Sequence, residues 1–120
     1  SRYTAEEWEQ IQKEEVRQET KDEIIVFDKT YSKIADQYSN DKKDLSEELR
    51  YYEQKNNKNK LISLVEDGEE LASNFKEEFQ KIHIPEPLDD FYYLKLEELN
   101  YEYKVFSIVL SYYKNISDDV

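Results

Sequence analysis

The chain has 120 residues, the size of one domain, with 38% hydrophobic and 38% charged residues and a formal net charge of −12. The acid excess argues against a nucleic-acid surface, which needs Lys and Arg to displace counterions from phosphates, and against an anionic membrane face. Five Phe, eleven Tyr and one Trp separate it from a disordered acidic chain, and with one Gly and two Pro only long helices are economical.

The first predicted helix starts at Thr4-Ala5-Glu6-Glu7, a capping box in which the threonine hydroxyl takes an amide proton and Glu7 reaches back. It runs to about residue 38. Ile24, Phe27, Tyr31, Ile34 and Tyr38 recur three and four apart, as one buried face requires. Trp8 and Ile11 fall on another side of the wheel and residues 12 to 23 are almost wholly polar, so residues 1–15 are expected to pack loosely or project. Ser39-Asn40-Asp41 reads as a turn and a new cap, followed by a short helix over about 42–55 carrying Leu45, Leu49 and Tyr52. Those positions also continue the spacing of the first helix, so a single helix over 5–55 is the alternative. The weak helix formers Asn56-Asn57-Lys58-Asn59-Lys60 then predict a break.

A helix over about 60–82 has the cleanest amphipathic pattern, with Leu61, Leu64, Val65, Gly68, Leu71, Ala72, Phe75, Phe79 and Ile82 on one side. Gly68 and Ala72 lie in the middle of that face and form a notch. Because glycine costs a helix roughly 1 kcal/mol against alanine, the notch suggests close approach by a bulky side chain; a hinge or simply tolerated glycine is the other reading. His83-Ile84-Pro85-Glu86-Pro87 ends this helix, and Pro87 suits the first turn of the last one, over about 87–115.

That last helix carries two apolar seams. Tyr92, Leu96, Leu99, Tyr103, Phe106, Leu110 and Tyr113 make one; Phe91, Leu94, Tyr101, Val105, Ile108 and Tyr112 make the other. Together with Val109 they cover about 240° of the wheel, far more than an ordinary surface helix needs. Lys95, Glu98 and Glu102 lie between the seams, and since buried ions are costly unless paired, this ridge is expected to reach solvent. From Val105 onward the ridge vanishes and the helix could be enclosed nearly all round. The second seam is therefore either the face for the first helix or a partner surface, suited by its tyrosines to a protein or glycan contact.

No catalytic or cofactor-binding residues emerge. One His and no Cys exclude triads and thiol nucleophiles within the chain, and a zinc site lacks its ligands. Glu66-Asp67 with Glu69-Glu70, Asp89-Asp90 and Asp118-Asp119 could each hold a divalent cation weakly, but none has EF-hand spacing, so no metal is assigned. No segment reaches the roughly 20 apolar residues of a membrane span.

The expected fold is all-α: an antiparallel three-helix bundle, up-down-up, drawn from three or four helical segments. Its order of a long charged helix, an amphipathic helix ending Lys81-Ile82-His83-Ile84-Pro85-Glu86-Pro87-Leu88, and the helix containing Leu94-Lys95-Leu96-Glu97-Glu98-Leu99-Asn100-Tyr101 is similar to small helical domains in lipoproteins and secreted proteins of low-GC Gram-positive bacteria. The similarity spans roughly residues 20 to 115. It implies an extracytoplasmic domain with a lipid-bearing cysteine upstream, and it carries over no functional residue. The expectation is a non-enzymatic domain that binds a protein, self-associates or acts as a spacer. A cytoplasmic acidic adaptor or inhibitor, immunity-like and steered by its charge onto a basic partner, is the alternative.

Overall fold

The computed structural model describes residues 3–116. Its helices are α1 (Ala5–Gln54), α2 (Lys58–Lys81) and α3 (Asp89–Asn115), with a single 3-10 turn at Glu86–Leu88 before α3 and no strand among the described residues.

α1 opens on the expected cap. The Thr4 hydroxyl accepts the Glu7 amide at 3.1 Å and donates to the Glu7 carboxylate at 3.2 Å. It does not stop where a turn was expected. Ser39-Asn40-Asp41 is helical, so the separate helix over 42–55 is absent and the single-helix alternative holds. Serine, asparagine and aspartate favour caps without forbidding helix interiors. Here Tyr38, Leu45 and Leu49 keep one stripe against α2, and burial decides against a break.

The joint at Asn56-Asn57 ends α1 and starts α2 in one motif. Asn56 takes a positive φ of 52°, tolerated by asparagine better than by most residues. Its amide donates to the Glu53 carbonyl and the Asn57 amide to the Tyr52 carbonyl, both at 3.1 Å, the paired bonds of a Schellman ending. Asn57 then caps α2, its side-chain oxygen accepting the Lys60 amide at 3.1 Å.

α2 is the element against which both others pack. Tyr31 and Tyr38 of α1 meet Phe79 and Phe75, with ring centroids 5.7 and 4.5 Å apart, and Leu45 reaches Gly68. From the other side Tyr92 stacks on Phe79 at 5.3 Å, Phe106 covers Gly68, and Tyr113 packs with Val65 and Leu61. Rising numbers along α1 and α3 thus meet falling numbers along α2. Phe79, Val65 and Leu99 are the most deeply buried large side chains of these helices, each contributing about 1.5–3 kcal/mol by leaving water.

The molecule is a rod, 85 × 20 × 16 Å, with a Cα radius of gyration of 22.3 Å; a compact domain of this length has about 14 Å. The cause is the length of α1. Fifty residues of helix rise about 75 Å, whereas α2 and α3 reach only about half that. The N-terminal part of α1 runs past its neighbours: residues 4 to 23 are exposed apart from half-buried Ile11 and Thr20.

Candidate functional site: the second seam of α3

α3 buries one side and leaves the other open. Leu99 and Tyr113 are buried, with Tyr92, Leu96, Phe106 and Leu110 partly buried around them. Tyr103, expected on that seam, is more than one-third exposed. Along the second seam Leu94 is 66% exposed, Tyr101 69%, Ile108 69%, Tyr112 62% and Val105 41%. At about 100° per residue these five side chains lie within about 60° of one another.

Phe91 departs from the rest of that seam. Its ring meets Phe27, Tyr31 and Phe79 edge-on at centroid distances of 6.0, 5.4 and 6.3 Å. One residue of the expected surface therefore closes the aromatic cluster between α1 and α2, while the other five form a stripe. The enclosure expected beyond Val105 does not occur, because no element of the described chain covers that face.

The charged ridge splits in two. Glu98 is exposed and receives an ion pair from Lys95 at 3.3 Å. Glu102 is half-buried and does not reach out as expected. Its two oxygens accept the Tyr38 hydroxyl at 2.7 Å and the Lys42 ammonium at 3.0 Å, and Lys42 also lies 4.4 Å from the centre of the Tyr38 ring. Partners from α1 make that half-buried carboxylate tolerable. Burial and the neighbouring Glu102 carboxylate hold the Tyr38 phenol well above its ordinary range. At the other end, burial and a 2.8 Å hydrogen bond to Glu53 push Tyr113 up to about 12.

The notch lies beneath the first seam. Gly68 and Ala72 are buried, and a methyl group on Gly68 would come within 2.6 Å of the Phe106 ring. The glycine is what lets α3 seat an aromatic ring there.

Among the described residues no group of three or more His, Cys, Asp or Glu side chains is placed to hold a metal ion, and no helix is long and apolar enough to cross a membrane. Of the acidic pairs, Glu69 accepts a hydrogen bond from Ser107 at 2.7 Å, tying α2 to α3, and Asp118-Asp119 lie outside the described residues. His83 is an exposed helix-end residue 3.4 Å from Glu23.

Sequence reasoning passed over a second apolar surface. Val26 and Ile25 are 63% and 52% exposed, and Val26 lines a shallow groove with Phe27, Ile34, Ile82 and His83. The available signal was the run Ile24-Ile25-Val26-Phe27, since four consecutive apolar residues cannot all share one helix face.

Comparison with family models, with curated proteins and with solved structures found no match to this chain.

Proposed function

We propose that this chain is a non-enzymatic interaction domain whose binding face is the second seam of α3, presented on an up-down-up antiparallel bundle. The carrying observation is the exposure of Leu94, Tyr101, Ile108 and Tyr112 on a helix whose opposite side is already packed. Contiguous apolar surface edged by polar groups characterises protein contacts, and tyrosine, apolar in the ring and polar at the tip, suits a surface that alternates between water and partner. The falling order of α2 contacts against rising orders along α1 and α3 supports the antiparallel reading. The overhang of α1 adds a spacer role, holding the seam away from whatever precedes it. The similarity of its sequence pattern to helical domains of Gram-positive lipoproteins and secreted proteins supports a location outside the cytoplasm, with a lipid anchor upstream.

The test compares the wild-type chain with Ile108→Glu and Val105→Glu. Both variants are expected to keep the helical signal and melt within a few degrees of wild type, because exposed positions rarely shift stability by more than about 0.5 kcal/mol. Both should lose a partner retained by the wild-type chain, or a self-association seen by light scattering. Variants that unfold, or that retain all binding, remove the seam from consideration. Location is tested separately by reading the residues encoded upstream of Ser1: an apolar signal followed by cysteine supports the extracytoplasmic reading, and an initiator methionine immediately before Ser1 ends it.

The acidic-adaptor reading remains the second one, favoured by one feature: the carboxylates at one end of the seam. It differs in location and in partner charge.

A further inference from the structure

Resting on the reading of the seam as a binding face, we infer that its occupant is a cationic amphipathic helix of another protein. The rim of the seam carries the argument. Around Leu94 stand Asp90, Glu97 and Glu98, one turn before and one turn after it, all exposed. Two cations belong to the rim, Lys95, already paired with Glu98 at 3.3 Å, and Lys104, beyond Tyr101; uncharged Ser111 and Asn115 edge the far end. Apolar groups thus run down the middle, with negative charge gathered at the N-terminal half. A helix laid in a groove is read through apolar anchors at i, i+3, i+4 and i+7. Here the seam from Leu94 to Tyr112 rises about 27 Å, enough for five turns of partner. Such a helix would bring Lys or Arg against Asp90 and Glu97, and the net charge of −12 would steer it in.

A second copy of the chain fits less well. In an antiparallel pair that sets Leu94 against Tyr112 of the other copy, Ile108 falls on Glu98 and Lys104 falls beside its own counterpart. In a parallel pair Glu98 lies on Glu98. Either register puts a carboxylate or a like-charge pair in the contact, and two bodies each of charge −12 must first approach.

The experiment titrates the full chain with two synthetic 21-residue helices of identical Leu a/d seams, one edged by Lys and one by Glu. Binding is followed by fluorescence anisotropy at two salt concentrations, and solution mass by light scattering. The Lys-edged helix is expected to bind at least about tenfold tighter than the Glu-edged one and to weaken with salt. Glu97→Lys with Asp90→Lys should erase that preference, Tyr101→Ser with Ile108→Ser should abolish binding of both peptides, and Val26→Ser should change neither. Equal binding of both peptides, lost in the seam variant, overturns the charge inference and leaves the interaction reading standing. A dimer that Ile108→Glu dissociates, with no peptide bound, overturns it in favour of self-pairing. Peptide binding unaffected by the seam variant overturns it as well. A monomer that binds neither peptide takes down the inference, and if it also loses no partner on Ile108→Glu, the interaction reading falls with it.

Discussion

At the scale of single residues, Gly68 and Tyr113 have consequences that can be measured. A methyl at Gly68 would lie 2.6 and 2.7 Å from two ring carbons of Phe106 and 3.0 Å from a Leu45 methyl. Alanine would gain about 1 kcal/mol in helix propensity, but overfilling a packed contact costs about 1–3 kcal/mol. Gly68→Ala is therefore expected to destabilise by about 1 kcal/mol, seen as a lower urea midpoint at unchanged slope, and adding Phe106→Leu should recover part of the loss. On the alkaline side Tyr113 acts alongside Tyr38. The folded phenol of Tyr113, raised to about 12, holds its proton more tightly than the unfolded one near 10. Its stabilisation is complete below about pH 10 and disappears as pH rises through about 12. Thermal midpoints should fall across that window, and Tyr113→Phe should fall less steeply. The notch was legible in the sequence because a lone glycine in the centre of an apolar helix face needs a reason. Its occupant was not, since six other side chains on the same seam had equal claim.

At the scale of elements, caps were easier to read than continuations. Thr4 and the asparagine joint carry their own local hydrogen-bonding chemistry, which sequence displays directly. Asn57→Ala should remove the α2 cap at about 1 kcal/mol, whereas Asn40→Ala, inside α1 and without a capping role, should be neutral or slightly stabilising; paired denaturation curves check both. The continuation of α1 through Ser39-Asn40-Asp41 depends on Leu45 and Leu49 meeting α2, a tertiary fact that overrides local preference. The overhang has the opposite standing. Pairs such as Gln18 with Asp22 at 3.0 Å, and the Arg17–Glu14 ion pair, support it from within, but each contributes only about 0.2–0.5 kcal/mol. Amide protons of residues 5–20 should exchange far sooner than those around Phe79. Deleting residues 1–18 should lower helical signal without moving the main unfolding transition.

For the whole molecule, the wheel of α3 revealed two apolar seams yet could not say how many neighbours the helix would have. That number depends on where α1 lies. α1 packs on α2 and meets α3 through side chains alone, Phe27 and Tyr31 on Phe91 and Tyr38 and Lys42 on Glu102, leaving the far seam open. All-helical class and the order of segments were readable because glycine and proline are so few; the extended shape was not, because it follows from the unbroken length of α1. That length also governs how the protein drifts through a solvent. An 85 Å rod only 20 Å across meets more friction than a sphere of equal mass, so a gel-filtration column calibrated with globular standards will assign even a single chain the size of a larger protein.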